Sequence, residues 1–189
     1  TTTAKGEQCE IAGIMTTIKR DQLERVNHII VGDAHYSLGG LINTAHDMRI
    51  LQVGGLMNRV TGNARAFQAA GLFNFNRGNA KIQVGGLINT ANDVSTMQFG
   101  GFMNVTKGEV KGFQISLINI SDTVSGVPIG LINIVKRGYN KFDIYGSETL
   151  HGNFQLKLGA NAFYNIFHIG AQVPPGDGTY IWGLGYGIG

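Results

Sequence analysis

One phrase returns about every 15 residues, and this period limits most strongly how the chain can fold. Its clearest copies read Gln-Val-Gly-Gly-Leu-Met-Asn at 52–58 and Gln-Val-Gly-Gly-Leu-Ile-Asn at 83–89. The closing asparagine is found seven times, at Asn43, Asn58, Asn74, Asn89, Asn104, Asn119 and Asn133. A repeat of two helices needs roughly 30 residues or more, so this period leaves room for a single coil of short strands. The sequence therefore predicts an all-β fold built on a narrow β-solenoid of about seven coils.

Stacked coils place equivalent residues about 4.8 Å apart, so each repeat position becomes a column along the solenoid. We expect four apolar columns to point inward and fill a thin core. These columns are Leu51, Phe67, Ile82, Met97, Phe113 and Val127; Val53, Ala69, Val84, Phe99, Ile115 and Ile129; Leu41, Leu56, Leu72, Leu87, Phe102, Leu117 and Leu131; and Met48, Ala64, Ala80, Val94, Val110 and Val124. The asparagine column is expected to form a hydrogen-bonded ladder at a corner. The glycine pairs suit a corner that needs positive φ or close approach of another coil.

A further apolar row follows the leucine column directly in every copy. Its members are Ile42, Met57, Phe73, Ile88, Met103, Ile118 and Ile132. Because successive strand residues point to opposite faces, one of the two rows must face outward unless the corner turns both inward. An exposed apolar stripe of this length marks an interaction surface, so this row is our first candidate for partner binding.

Basic residues recur on the turns of the predicted coils, at Arg49, Arg65, Lys81 and Lys111. Such a row is more typical of a solvated edge that discourages aggregation than of an anion-binding track. We interpret it as a solvated edge.

The flanks of the repeat differ from it in pattern. Residues 1–35 are predicted to form an N-terminal cap, whose charged run at 19–25 suits a cap or a short helix. Residues 36–138 form the solenoid, and residues 139–189 alternate with a period of two, which predicts a short antiparallel β-meander. Tyr180, Trp182 and Tyr186 share one face of the last strand and are a second candidate contact surface. That strand ends without a polar tail, so either the module is truncated or its strands pack on a partner.

The composition and motifs argue against an enzyme. The chain contains no Walker loop, HExxH, CxxC or G-x-S-x-G motif, and its five histidines are scattered. We therefore predict no catalytic residues, no metal site and no cofactor. A net charge of +3 that is spread along the chain also argues against nucleic-acid binding.

The repeat phrase, together with the ending Val-Pro-Ile-Gly-Leu-Ile-Asn-Ile-Val-Lys-Arg-Gly-Tyr at 127–139, resembles the surface-repeat proteins of bacterial envelopes found in Bacteroidota. The resemblance covers about residues 36–173 and implies location rather than mechanism. It implies an exported protein at or near the outer membrane, on its periplasmic side or at the cell surface. It carries over no functional residue.

These observations favour a non-enzymatic envelope protein whose rigid repeats bind other envelope proteins. A concrete version is an accessory or plug subunit of an outer-membrane secretion channel, such as the type 9 secretion translocon. The alternatives are a fragment of an integral outer-membrane β-barrel and a surface adhesin. The long, aromatic-rich last strand favours the barrel alternative, because outer-membrane strands need about 9 to 11 residues per crossing.

Overall fold

The computed structural model describes residues 11–12, 17–19, 22–24, 28–172 and 180–189. All regular structure in these residues is β, and no helix is found among them. The expected all-β fold is therefore confirmed. A parallel solenoid of about seven coils is followed by a four-stranded antiparallel sheet, as the sequence predicts.

Each coil of the solenoid contains a strand on one face and a strand on the other. The strands are β4 (His28–Gly39), β5 (Ile42–Gly54), β6 (Met57–Val60), β7 (Ala64–Ala70), β8 (Phe73–Asn76), β9 (Ala80–Gly85), β10 (Ile88–Ala91), β11 (Val94–Gly100), β12 (Met103–Val110), β13 (Phe113–Ile115), β14 (Ile118–Val124), β15 (Val127–Ile129) and β16 (Ile132–Val135). The front face consists of the start of β5 with β6, β8, β10, β12, β14 and β16. The back face consists of the end of β5 with β7, β9, β11, β13 and β15. All of these pairings are parallel.

The register of the strands stacks the repeats on one another. On the front face Asn58 pairs with Asn74, and Asn74 pairs with Asn89. On the back face Gln68 pairs with Gln83, and Gln83 pairs with Gln98. Residues about fifteen positions apart therefore lie one above another, as the period requires.

Two unlike corners join the faces. The glycine corner leads from a back strand to the next front strand and comprises residues 40–41, 55–56, 71–72, 86–87, 101–102, 116–117 and 130–131. The charged corner leads from a front strand to the next back strand and comprises residues 46–47, 61–63, 77–79, 92–93, 107–109 and 122–123. Backbone hydrogen bonds join successive coils at both corners: Leu87 N donates to Leu72 O at 2.9 Å, and Gly78 N donates to Gly62 O at 2.9 Å.

Three of the four columns expected in the core lie on the outside instead. The leucine column occupies the glycine corner and is exposed at six of its seven positions. The columns that begin at Leu51 and Val53 point away from the interior of the back face, and their residues are half-buried or exposed. Only the column that begins at Met48 is buried, apart from Val124 at its end, which is half-buried. The prediction fails because the alternating residues Gln52 and Asn58 take the inward positions.

The N-terminal part contains three short strands, β1 (Ile11–Ala12), β2 (Thr17–Lys19) and β3 (Gln22–Glu24). β2 and β3 pair in antiparallel fashion, so the short helix considered for the run 19–25 is wrong where the structure describes it. β4 already pairs in parallel with β5 from His28 onward. Parallel stacking thus begins within the predicted cap, residues 1–35, much of which lies outside the described residues.

The C-terminal sheet contains β17 (Lys141–Tyr145), β18 (Gly152–Ala160), β19 (Phe163–Gln172) and β20 (Ile181–Ile188) in sequential antiparallel order. It covers the end of the solenoid through a side chain that continues the asparagine row. Asn165 Oδ1 accepts hydrogen bonds from Asn133 Nδ2 at 2.7 Å and from Asn133 N at 2.9 Å. Asn165 Nδ2 donates to Gly130 O at 3.0 Å. The meander is therefore attached to the last coil as a cap.

Candidate docking edge and its amide interior

The asparagine row forms a continuous ladder inside the glycine corner. Asn74 Nδ2 donates to Asn89 Oδ1 at 2.8 Å, and Asn89 Nδ2 donates to Asn104 Oδ1 at 2.9 Å. The second donor of each amide binds a backbone carbonyl just before the glycine corner, as Asn89 Nδ2 does with Phe99 O at 2.6 Å. The expected ladder is confirmed, and it also satisfies carbonyl groups that the corner turns inward.

Glycine lies beside the ladder in most coils because a side chain there crowds the amides, and in one coil the small Ala70 takes the equivalent position. A Cβ at Gly100 would lie 2.6 Å from Asn104 Oδ1. The second glycine of the pair makes room for the neighbouring coil, since a Cβ at Gly101 would lie 2.2 Å from Gly86 O. Neither Gly100 nor Gly101 has positive φ. Of the two reasons considered for the glycine pairs, close approach therefore applies to this pair.

A second amide ladder runs along the inner side of the back face. Gln83 Nε2 donates to Gln68 Oε1 at 3.2 Å, and Gln98 Nε2 donates to Gln83 Oε1 at 2.9 Å. The glutamines thus donate toward the preceding coil, whereas the asparagines donate toward the following one. The ladder ends at Gln114, whose Oε1 has no hydrogen-bond partner among the described residues, because Pro128 takes the next position.

The aliphatic interior lies at the other end of the coil, behind the charged corner. One buried cluster there contains Ala45, Met48, Val60, Ala64 and Ala66, and a second contains Ala80, Ala91, Val94 and Val110. Apart from Met48, these side chains are small. The coils are therefore mainly aliphatic inside where they are charged outside, although Asn76, Thr106 and Ser121 take equivalent inward positions and are buried.

The outer surface around the glycine corner is apolar. We call it the apolar edge: the leucine column at the corner, the row that begins at Ile42 on the front face, and the two rows that begin at Leu51 and Val53 on the back face. The structure places the predicted contact residues Ile42, Met57, Phe73, Ile88, Met103, Ile118 and Ile132 half-buried on the outer side of the front face. Leu87, at the middle of the edge, is 41% exposed.

Charge is confined to the opposite side of the coil. Between residues 36 and 138 the chain has nine Lys or Arg and four Asp or Glu, all within or next to the charged corner. The stretches 50–58, 66–76, 82–92, 94–106, 112–121 and 123–135, which pass around the glycine corner, contain none. Two acidic side chains serve the corner itself, since Asp47 Oδ1 accepts from Asn63 N at 2.6 Å and Asp93 Oδ1 accepts from Glu109 N at 2.8 Å.

A basic depression lies on the front face where the apolar edge meets the charged corner. Its volume is about 310 Å³, and Arg59, Arg77 and Lys107 line it together with Phe75 and Val105. All three basic residues are exposed. The depression therefore offers positive charge directly beside an apolar wall. The predicted row of Arg49, Arg65, Lys81 and Lys111 borders the back face in the same way, and these four residues are exposed as well.

The C-terminal sheet also has one apolar and one polar side. Trp182, Leu184 and Tyr186 pair with Ala171, Ile169 and Phe167 and share the apolar side with them. Tyr180, Trp182 and Tyr186, the second predicted contact surface, are exposed. Tyr186 is also tied to the cap, because Asn165 Nδ2 donates to its hydroxyl at 2.7 Å.

The polar side of that sheet carries an ion pair. Lys157 Nζ lies 2.8 Å from Asp143 Oδ2, and the hydrogen bond to this carboxylate raises the pKa of the Lys157 ammonium. The His168 ring lies nearby and bonds Asn153 Oδ1 at 2.9 Å. This sheet thus has polar side chains on one side and apolar side chains on the other, as the register of its own strands dictates.

The leucine column, the back-face rows and the basic depression were not among the predicted contact residues. The signal that identifies them is the alternation of uncharged and charged stretches with the period of the repeat. No three Cys, His, Asp or Glu side chains of the described residues come together as a metal site requires. The same residues contain no helix with the length and hydropathy of a membrane span.

Comparisons with known proteins add no relative. A scan against protein families, a search of curated proteins and a search of solved structures each found no match. The function is therefore inferred from the arrangement of charged and apolar side chains on the solenoid and from the repeat phrase.

Proposed function

We propose that this protein is a non-enzymatic scaffold of the cell envelope that docks through its apolar edge. The single observation that supports this most is the segregation of charge and apolar surface to opposite corners of every coil. An apolar surface that runs along the whole solenoid is far larger than a freely dissolved protein normally exposes. It is a permanent contact surface, and the stacked coils hold it rigid.

The proposal includes a location and a class of partner. The repeat resembles envelope surface-repeat proteins, which favours the outer membrane, on its periplasmic side or at the cell surface. The proposed partners are other envelope proteins. A plug or accessory subunit of a secretion channel, such as the type 9 translocon, would use a rigid apolar edge in this way. We propose no nucleic-acid partner and no cofactor.

A second candidate is part of an integral outer-membrane β-barrel. The C-terminal sheet favours it, because an exposed apolar side opposite a side rich in glycine and polar residues is typical of such strands. A surface adhesin is a further alternative, in which the edge would bind outside the cell.

The test is the association of the protein with the envelope of the cells that produce it. Met57→Asp and Met103→Asp are introduced together, which places two carboxylates on the apolar edge where the side chains are half-exposed. We expect the double variant to fold and to leave the envelope fraction, with its crosslinks to envelope components lost.

The matched control adds the same charge beside the charged corner. Asn63→Asp and Thr96→Asp are both at exposed positions, and we expect this variant to stay with the envelope. Undiminished association of the Met57/Met103 variant would show that the edge is not the docking surface.

A further inference from the structure

The depth of the apolar edge matches half of a lipid bilayer. From Ile82 on the back face to Leu87 at the corner the chain makes five steps, which is about 16 Å of extended strand. The hydrocarbon core of a bilayer is about 30 Å thick, so one leaflet contributes about 15 Å. On the back face no charged residue lies within this depth in any coil from residue 50 to residue 131, whereas on the front face Arg59 lies three steps beyond Leu56, or about 10 Å.

In the coils whose corners lie at Leu56, Leu72, Leu87 and Phe102, the N–H groups of these four residues donate to carbonyls of the preceding coil. Leu56 N donates to Leu41 O at 2.8 Å, and Leu87 N donates to Leu72 O at 2.9 Å. The carbonyls just before the corner receive the asparagine amides, as Ala69 O does from Asn58 Nδ2 at 2.7 Å. Hydrocarbon supplies no hydrogen bonds, so a segment that enters it must satisfy its backbone internally. A protein partner, in contrast, could supply hydrogen bonds of its own to such groups.

Basic residues stand where the headgroups of that leaflet would lie. The excess of nine basic over four acidic side chains borders the apolar edge on both faces. In the front depression, Arg59, Arg77 and Lys107 surround a space of about 310 Å³ whose wall includes Phe75 and Val105. A phosphate group beside an acyl chain has the chemistry that this combination fits.

We propose that the apolar edge inserts into one leaflet of an anionic lipid bilayer, with phosphate headgroups at Arg59, Arg77 and Lys107. This inference rests on the docking edge of the proposed function and assigns that edge a lipid partner in place of a protein. The solenoid then lies along the membrane as a blade, with its glycine corner among the acyl chains and its charged corner in water. The edge is about 29 Å long, from six coil spacings between Leu41 and Leu131.

Vesicle flotation of the purified full chain tests the partner. Vesicles of phosphatidylcholine alone are compared with vesicles that also contain phosphatidylglycerol. We expect binding to both and at least about tenfold tighter binding to the anionic vesicles, because basic residues close to an anionic surface are attracted to it. Arg77→Gln with Lys107→Gln should remove most of that preference. Lys141→Gln with Lys157→Gln, which removes the same charge from the polar side of the C-terminal sheet, should keep it.

Insertion depth is measured with a fluorescent label on a Cys9→Ser background. A label at Leu87→Cys is expected to be quenched by nitroxides on the acyl chains. A label at Asn79→Cys, on the charged corner, is expected to be quenched by iodide in the water. A Leu87 label that iodide still reaches on bound vesicles would overturn the inserted geometry.

The two proposals fail in different ways. If the wild-type protein binds neither kind of vesicle but the Met57/Met103 variant still leaves the envelope fraction, the docking edge stands and its partner is a protein. If that variant stays with the envelope, the proposed function itself is wrong. Equal loss of anionic preference in both glutamine variants would overturn the headgroup site in the depression.

Discussion

The two corners of each coil are built on opposite principles. At the glycine corner the outside is apolar and the inside is a ladder of amides, whereas at the charged corner the outside is ionic and the inside is mainly aliphatic. Most domains bury their large apolar side chains and keep rows of polar side chains out of the interior. The comparison shows that a thin solenoid can reverse this rule over half of its perimeter, provided that every inward amide finds partners in neighbouring coils.

The largest expected effect comes from a charge in the amide ladder. In Asn89→Asp both donors of the amide are lost, so Phe99 O and Asn104 Oδ1 face a buried carboxylate instead. We expect the free energy of unfolding to fall by about 3–5 kcal/mol, measured by urea denaturation at neutral pH.

The same substitution at the charged corner is the control. Asn63 is exposed, and its Oδ1 accepts from Asn79 N at 2.9 Å, which a carboxylate can also do. Asn63→Asp is expected to change stability by less than about 0.5 kcal/mol. Similar losses in the two variants would remove the distinction between the corners.

Glycine substitutions sharpen the comparison, because the obstacles at the two corners differ in kind. A Cβ at Gly101 meets the backbone carbonyl of Gly86 at 2.2 Å, which cannot move without displacing a coil. A Cβ at Gly108 meets the end of the Asp93 side chain at 2.1 Å, which can rotate away at the cost of its hydrogen bond from Glu109 N, and it lies 3.1 Å from Asn92 O. We expect Gly101→Ala to cost about 1–3 kcal/mol by thermal or urea unfolding and Gly108→Ala about 1 kcal/mol or less.

Gly183→Ala provides the reference for these two variants. It lies in β20 of the C-terminal sheet with nothing within 4 Å of its Cβ position, so no steric cost is expected. A loss at Gly183 as large as that at Gly101 would mean that general strand effects, rather than close approach of the coils, dominate.

In the last comparison, truncation of the smaller side chain is expected to cost more stability than truncation of the larger one. Val94 is fully buried behind the charged corner, whereas the larger Leu87 is 41% exposed at the glycine corner. We expect Val94→Ala to cost about 2 kcal/mol and Leu87→Ala less than about 1 kcal/mol in water, by urea denaturation. A larger loss for Leu87→Ala would show that the apolar edge is part of a core after all.

The period and the number of coils could be predicted because they depend on spacing alone. Fifteen residues per copy fix one coil, and the identical asparagines fix the register of the front face. The alternation at 180–189 likewise places Trp182 and Tyr186 on one side of the last strand, where the structure has them.

The direction in which side chains point could not be predicted from hydrophobicity. Alternation is compatible with either face inward, and the usual preference for apolar burial selects the wrong one here. Within the strands the better guide is uniformity: the inward Gln and Asn recur in most copies because each amide must match its neighbours, whereas the outward back-face positions vary among Leu, Phe, Ile, Met, Val and Ala. This guide does not extend to the glycine corner, where the leucine column is equally uniform although it is exposed. The cap residue Asn165 lies outside the repeat, so no spacing identifies it.

The hydrogen bonds that Asn165 makes with the last coil have a consequence for how such a chain can change over generations. Asn165 of the terminal sheet binds the side chain of Asn133 and the carbonyl of Gly130. In the earlier coils the equivalent asparagine binds the asparagine of the next coil in the same way. Nothing in that contact depends on how many coils precede it. Duplication or deletion of a whole 15-residue unit would therefore lengthen or shorten the solenoid, and the same C-terminal sheet would still fit its last coil.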